Sequence, residues 1–299
     1  MTLSSYDLSG GPAGISVIIP IKGPLSLSET LHSIAASSQE PREVVVVHST
    51  DVDQSAILQS AKYPFDLRYI RQTSGVLEAK AIGARAAESS HVLFIDSDQT
   101  VGAELISELM RAKAAVAMIP ETCNGSSLLS RLVDRQKRFV HEASKLGSAL
   151  DYPVSPRFYD RRVVLAGLRR IEESCPLGML RSHEDSALFI AAFESCGLTP
   201  KHDIYWANGC IDNMDIEFKS HVRKAYIYGV SHGALRKFAR MNRNARALEG
   251  GLARLNAGHR WSAAGLGVDF AGLLHDAIQG PPYYIGYLVG KFRMGPGYG

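Results

Sequence analysis

The chain has few of the features that mark disulfide-rich, secreted or membrane-spanning proteins. Its 299 residues include four cysteines, which are scattered and form no Cys-x-x-Cys pair, so the sequence predicts neither a disulfide framework nor a cysteine metal site. We therefore expect a reducing, cytoplasmic setting. No apolar run approaches the roughly 18 residues of a spanning helix, and residues 1–14 lack the basic and apolar regions of a secretory signal. We expect any contact with a membrane to be peripheral.

Phosphate-binding loops and a strong net charge are missing as well. Neither a P-loop nor a Gly-x-Gly-x-x-Gly sequence occurs, and Pro20 to Pro24 is not the glycine-rich loop that would follow the first strand of a nucleotidyltransferase. The formal net charge is only +3, which does not indicate nucleic acid as a partner. The chain does have 45% hydrophobic and 21% charged residues, a composition typical of a globular protein with a sizeable core.

Strand and helix patterns alternate from residue 15 to about residue 120. Three apolar runs predict buried strands, namely Ile15 to Pro20, Val44 to Val47 and His91 to Ile95. A shorter strand is predicted at Leu67 to Ile70, and helical spacing occurs over 26–38, 53–62 and 77–88. This alternation predicts an α/β fold with a mostly parallel sheet, in which ligands bind beyond the carboxyl ends of the strands.

The pattern becomes less regular after Pro120. We predict a helix over 126–146, a strand at Arg157 to Tyr159 and a helix over 184–196. The resulting division has three parts: a flexible lead-in over 1–14, the α/β domain over 15–215, and a basic helical extension rich in Gly, Pro and Tyr over 216–299.

Two carboxylates follow the third predicted strand directly, in the sequence Asp96-Ser97-Asp98. At the carboxyl end of a strand they face the ligand crevice, and oxygen ligands of this kind suit Mg²⁺ or Mn²⁺, which also take phosphate oxygens. Aspartates also commonly cap turns after strands, so the motif alone leaves that alternative open.

Five segments in order resemble glycosyltransferase family 2, whose catalytic domain has the GT-A fold. They are Ile15 to Pro20, Leu27 to Ile34, Pro41 to Val47, Gly75 to Ala84 and Phe94 to Asp98. The resemblance implies an inverting transferase that takes a sugar from a UDP-, GDP- or dTDP-sugar with Mg²⁺ or Mn²⁺. It also implies a set of donor-binding residues at the strand ends and on the helix predicted over 77–88: Pro20, Ile21, Lys22, His48, Lys80, Asp96, Ser97 and Asp98.

A second acidic cluster, Glu184-Asp185, begins a predicted helix. Acidic residues in a first helical turn are favoured by the helix dipole, which is a purely structural alternative. The family carries a Glu-Asp pair at this place, however, and the resemblance implies that Asp185 is the general base, with Glu184 beside it. A carboxylate near the acceptor hydroxyl can take its proton as the oxygen attacks the anomeric carbon.

Three positions depart from the family pattern. The second strand ends at His48 rather than at acidic residues, and a lone histidine at a strand end is often a surface residue. Lys80 stands where the family often has arginine, and it either meets a phosphate or is an exposed helix residue. The histidine that completes a metal site in the family has no clear counterpart, and Asp212 is the possible substitute as a third ligand beside Asp96 and Asp98.

The extension is strongly basic. Residues 219–260 contain ten Lys and Arg against one acid, Glu249. Such a segment suits an anionic membrane surface or a phosphate-bearing lipid, or it is the solvated face of a domain-closing helix. The aromatic and aliphatic residues of 281–290 are of the kind found at membrane interfaces, although they could equally pack on the catalytic domain.

These observations favour a metal-dependent glycosyltransferase at the cytoplasmic membrane face, with a glycan or polyprenyl-linked acceptor. The alternative is a catalytically silent GT-A module that binds a nucleotide or glycan. The transferase requires the two acidic clusters, distant in sequence, to meet across one crevice.

Overall fold

The computed structural model describes residues 13–22, 27–51, 55, 62–146, 156–180, 184–214, 216–239 and 270–293. The predicted helix over 53–62, most of the lead-in and residues 240–269 of the basic extension therefore lie outside the described residues. The strands are β1 (Ile15–Lys22), β2 (Glu43–Ser49), β3 (Asp66–Arg71), β4 (His91–Phe94), β5 (Gln99–Val101), β6 (Val116–Met118), β7 (Glu121–Cys123), β8 (Phe158–Asp160), β9 (Ile204–Trp206) and β10 (Ile211–Asn213).

Nine α-helices are present among the described residues. They are α1 (Ser28–Ala35), α2 (Val76–Ala86), α3 (Leu105–Ala112), α4 (Leu128–Leu146), α5 (Arg161–Ser174), α6 (Glu184–Cys196), α7 (Pro200–Asp203), α8 (Phe218–Ala239) and α9 (Phe270–Arg293). A 3₁₀ turn at Leu177–Met179 lies between α5 and α6. Apart from the helix over 53–62, the elements predicted up to residue 120 are all present, with ends that differ by a few residues.

The main sheet has seven strands in the order β3-β2-β1-β4-β8-β6-β9. The first four are mutually parallel, whereas β8 runs antiparallel to both of its neighbours. The α/β fold with a mostly parallel sheet is therefore confirmed. The apolar runs of β1, β2 and β4 are buried because helices cover the sheet, as expected for parallel strands.

A second sheet of three strands, β5-β10-β7, lies beyond the carboxyl end of β4. Its middle strand pairs Asp212 with Thr100 on one side and Thr122 on the other. This small sheet brings residues from three distant parts of the sequence to the end of β4 where the Asp96-Ser97-Asp98 motif lies.

Helices α8 and α9 form a closely packed pair in the extension. Gly229 and Gly233 face the backbone of α9, and a side chain at Gly229 would collide with the carbonyl oxygen of Tyr283. The described part of the tail, 270–293, is thus a helix packed on α8, although Pro281 and Pro282 lie inside it. None of the helices in the described part of the chain combines the length and apolar character needed to span a bilayer. The proposed division at residues 14 and 215 stays a prediction.

Candidate active site

The first acidic cluster forms the turn between β4 and β5. The backbone N–H of Asp96 donates to Oε1 of Gln99 at 2.9 Å, and the N–H of Gln99 donates to the carbonyl of Asp96 at 3.1 Å. Thr30 on α1 donates to the carbonyl of Ser97 at 3.1 Å, and the N–H of Met214 donates to the carbonyl of Asp98 at 3.0 Å. The backbone of the turn is thus held from several sides, while the side chain of Asp98 points outward and is 60% exposed.

The second acidic cluster begins α6. Glu184 and Asp185 occupy its first turn, and the apolar residues that follow, Leu188 and Phe189 among them, are buried in the main core. Burial of this helix fixes the position of its N-terminal end. The side chain of Asp185 is 18% exposed, so it is accessible from the crevice but largely surrounded by protein.

Both clusters contribute to one cavity of about 630 Å³. Asp98 and Asp185 both line it, together with Arg157 and Glu121. The remaining wall comes mainly from the helices outside the sheet, with residues of α4, α8 and α9 that include His141, His221, Lys224, Tyr228 and Gln279. A cavity of this size can hold a small ligand. The convergence of the two acidic clusters that a transferase requires is thus present.

Arg157, just before β8, is the central cation of the site. Its Nε donates to Glu121 at 2.8 Å, its Nη2 donates to Oδ2 of Asp96 at 3.1 Å, and its Nη1 lies 3.1 Å from Oδ2 of Asp185. The side chain is only 9% exposed. One planar guanidinium therefore connects the first acidic cluster to the second, a geometry that suits arginine better than lysine.

Lys80 on α2 is the second buried cation. Its side chain is fully buried, its ammonium donates to Oδ1 of Asp185, and it lies 3.9 Å from Glu184. The alternative that Lys80 is an exposed helix residue is therefore wrong. In this structure the lysine neutralises the second acidic cluster, and a role in donor binding stays a prediction.

The two cations have clear effects on the acidic groups. Burial opposes ionisation of Asp96, but Arg157 and Lys80 outweigh it and hold the pKa of that carboxyl below its ordinary value. Burial likewise opposes ionisation of Glu121, but Arg157 and Lys137 hold its pKa far below its usual range. For Glu184, burial dominates and its pKa is raised, even though Lys80 acts in the opposite direction. Glu184 is thus the most easily protonated of these three.

The strand-end residues occupy different environments. Pro20 and Ile21 are buried within β1, whereas Lys22 at its end is exposed. His48 is fully buried, with its Nδ1 2.9 Å from the hydroxyl of Tyr69 on β3, so the alternative of a surface histidine is wrong. Contacts of Pro20, Ile21, Lys22 and His48 with a donor stay predictions.

Asp212 lies on β10 and its carboxylate accepts a hydrogen bond from Thr122. Asp212 is not among the residues that line the cavity, unlike its neighbour Asn213. Within the described residues no group of three His, Cys, Asp or Glu side chains is arranged to hold an ion. The third metal ligand therefore stays a prediction without geometric support.

The two other candidate metal ligands, the carboxylates of Asp96 and Asp98, fit Mg²⁺ or Mn²⁺. These ions commonly take one or two carboxylates and complete their coordination with water and substrate phosphates. Asp98 offers an exposed carboxylate at the cavity, and Asp96 has one oxygen, Oδ2, engaged by Arg157. Asp98 would therefore be the main ligand, with Asp96 secondary.

Several residues of the site are not singled out by the sequence patterns. Glu121 on β7 and Lys224 and Tyr228 on α8 are examples, because they reach the cavity only through the tertiary fold. The sequence analysis identifies Arg157 only as the first residue of the predicted strand from 157 to 159. A signal for it exists, since an arginine that opens a buried strand needs carboxylate partners.

Comparison with known proteins identifies the family. The model of "Glycosyl transferase family 2" matches residues 16–164, which run from β1 into α5 and include Lys80, Asp96, Asp98 and Arg157. This chain belongs to glycosyl transferase family 2. The family and the enzyme class predicted from the sequence, a glycosyltransferase, are thereby confirmed. Among curated proteins, the search finds no match.

Solved structures show the same fold at low sequence identity. A crystal structure of S. aureus TarS is 17% identical with a TM-score of 0.50, and the match covers 92% of this chain and 55% of that one. The TarS 1–349 fragment in complex with UDP-GlcNAc is 16% identical with a TM-score of 0.52, covering 93% of this chain and 90% of the fragment. The UDP complex of the same fragment is 15% identical with a TM-score of 0.50, and the match covers the same shares of the two chains. These matches establish the GT-A fold of this family 2 chain, which spans about 55% of the longer TarS chain.

Proposed function

We propose that this family 2 glycosyltransferase moves a sugar from a nucleoside-diphosphate sugar to a hydroxyl of a glycan or polyprenyl-linked acceptor, with inversion at the anomeric carbon. The observation that carries the proposal is that Asp98 and Asp185 line the same cavity. In the proposed reaction Asp98 serves the donor and Asp185 serves the alcohol that attacks it. A single displacement needs both groups at one site.

In this mechanism Asp185 accepts the proton of the acceptor hydroxyl while Lys80 and Arg157 keep the carboxylate in place. Both of its oxygens have a cation nearby, so its rotation is restricted. Asp98 and Asp96 would hold Mg²⁺ or Mn²⁺, which when bound offsets the charge of the departing nucleoside diphosphate. Arg157 links the two carboxylate clusters, so that the position of the donor motif and that of the base depend on one another.

The nucleotide is proposed to be UDP, GDP or dTDP. A UDP-sugar is the first choice to test, because the TarS 1–349 fragment, which shares the fold, has a structure with UDP-GlcNAc. The test is a panel of nucleotide sugars with Mn²⁺ or Mg²⁺ in which release of nucleoside diphosphate is followed. If no donor gives release with any acceptor, the silent-module alternative is favoured instead.

The substitution Asp98→Ala is expected to abolish metal-dependent donor binding. The variant removes the exposed carboxylate of the motif at the cavity, while leaving the backbone contacts of the turn in place. Calorimetric titration of UDP with and without Mn²⁺ measures the effect. The wild type should bind more tightly with the metal, and Asp98→Ala should show no difference between the two conditions.

Asp66→Ala is the matched control for this experiment. Asp66 is an exposed carboxylate at the start of β3, and it does not line the cavity. This control should keep the metal effect on UDP binding. A metal effect of wild-type size in Asp98→Ala would contradict the assignment of Asp98 as a metal ligand.

We further propose that the enzyme works on the cytoplasmic face of a membrane, held by the basic segment 219–260 and the tail. Supporting features are three large apolar side chains exposed on α9, Tyr284, Ile285 and Leu288. Exposed apolar groups beside cations suit the interface of an anionic bilayer. The opposite face of α9 packs on α8, so part of the tail does pack back on the protein.

Removing four cations of this segment, Arg236, Lys237, Arg240 and Arg243, should weaken binding to anionic liposomes. We expect a loss of about 1 kcal/mol for each cation that lies near the bilayer, and the wild-type binding should fall with rising salt. Co-sedimentation with vesicles of phosphatidylglycerol and phosphatidylcholine measures it. Equal binding of the variant and the wild type would dispose of the membrane proposal without affecting the transferase proposal.

A further inference from the structure

A lysine of the extension reaches the Asp96-Ser97-Asp98 motif. Lys224 on α8 places its Nζ 3.7 Å from Oδ2 of Asp98. Helix α8 follows β10 in the chain, and the N–H of Met214 between them donates to the carbonyl of Asp98. Lys224 therefore reaches the motif from a segment whose backbone is hydrogen-bonded to the motif. The lysine itself lies outside residues 16–164, the part of the chain that the family model matches.

Stability of the fold does not account for this pair. The side chains of Lys224 and Asp98 are 58% and 60% exposed, and an exposed ion pair contributes little because water screens it. The less exposed carboxylates Glu121 and Asp185 have other cations, Lys137 and Lys80, close by. Lys224 is different because it lies at the open side of the cavity, beside the carboxylate proposed to hold the metal.

The helix that carries Lys224 is firmly placed. On the same helix, Nε2 of His221 lies 2.9 Å from Nε2 of Gln279 on α9, and both residues line the cavity. Ser231 donates to the carbonyl of Met179 at 3.3 Å. The lysine therefore has a fixed Cα and a long, flexible side chain, which lets its ammonium move while the helix stays in place.

We infer that Lys224 is a further donor-site residue, whose ammonium is the counter-ion of Asp98 in the unliganded protein and binds the diphosphate of the nucleotide when the donor enters. This rests on the proposed function, because it requires a nucleoside diphosphate beside Asp98. An ammonium and a divalent cation repel each other at one carboxylate, so the lysine must leave Asp98 when a metal ion is bound there. A diphosphate then offers the nearest new negative charge.

Two effects of opposite sign follow for Lys224→Met. Binding of UDP in EDTA should weaken by about threefold to tenfold, since a cation for the diphosphate is lost. Binding of Mn²⁺ alone should tighten by about twofold to fivefold, since Asp98 loses its competing ammonium. Replacing a residue with a merely structural role would not tighten the binding of one ligand while weakening the binding of the other.

The experiment measures UDP by calorimetry in EDTA and Mn²⁺ alone by the electron paramagnetic resonance signal of the free ion. Lys219→Met is the matched control, because Lys219 is an exposed lysine on the same helix that does not line the cavity. It should change neither affinity. Lys224→Arg keeps the charge and should retain most of the UDP affinity. Thermal melting of each variant checks that the fold is intact.

An unchanged UDP affinity in Lys224→Met, or an Mn²⁺ affinity that falls, would overturn the inference while leaving the proposed function in place. Failure of the wild type to bind any nucleoside diphosphate would overturn the proposed function, and this inference with it. The wild-type titration thus separates the two failures.

Discussion

Asp185→Asn is expected to lower transfer by about 10²-fold to 10⁴-fold while donor binding stays close to the wild-type value. An amide has nearly the same shape as the carboxylate but cannot accept the acceptor's proton, and loss of a general base typically has an effect of this size. Asp185 lies on the cavity wall but is not part of the motif that would hold the donor. Initial rates of nucleoside diphosphate release, together with UDP titration, separate the two effects.

A matched control addresses the loss of charge. Asp185 has two cations nearby, and an amide at this position would leave both less well neutralised. Asp134→Asn removes another partly buried carboxylate, paired with Arg138 on α4, that does not line the cavity. The control should keep its rate. Wild-type turnover in Asp185→Asn would refute the assigned base, and lost UDP binding would show that the residue acts on the donor instead.

Much of the fold could be predicted from the sequence because its first half follows simple rules. Continuous apolar runs such as Val44 to Val47 occur where a strand is covered on both faces, and β2 is indeed buried along most of its length. The position of Asp96-Ser97-Asp98 after such a run is sufficient to place the motif at the end of β4. At this motif, the position predicted from the local sequence pattern is the position found in the fold.

The tail is the clearest case where local pattern fails. Pro281, Pro282 and Gly286 argue against a helix, because proline lacks the N–H that a helix interior uses and glycine is a poor helix former. The structure nevertheless has α9 across all three residues. Tertiary contact offsets the poor propensity, since Gly286 lets the backbones of α9 and α8 approach closely at Tyr226.

The charge network of the site is also beyond sequence reasoning. The family resemblance marks Lys80 as a position of interest, but its partner Asp185 is 105 residues away in the chain. Glu121 and Arg157 meet only because β8 is inserted antiparallel between β4 and β6. Pairings of this kind depend on the order of the strands in the sheet, and that order cannot be predicted from the identity of single residues.

Arg157→Met is expected to destabilise the protein by about 3–5 kcal/mol at neutral pH, the usual cost of leaving buried charges without their partner. Arg157 is largely buried and neutralises Asp96, Glu121 and Asp185 together. The free energy of unfolding from urea denaturation measures the loss. Transfer should fall as well, because the base loses one of the two cations that hold it.

The pH dependence of this effect has a definite sign. Arg157 lowers the pKa of Asp96 and of Glu121, so their pairing with it stabilises the fold above the ordinary carboxyl range and is lost as the pH falls through the lowered values. The difference between wild type and Arg157→Met should therefore shrink upon acidification below about pH 4.

Arg138→Met is the matched control, because Arg138 forms an ion pair with Asp134 but is largely exposed. It should change stability by no more than about 0.5 kcal/mol. Arg157→Lys keeps the charge but loses the planar fork, and we expect a stability between those of the wild type and Arg157→Met. If Arg157→Met were as stable as Arg138→Met at every pH, the guanidinium would not be what holds the two acidic clusters together.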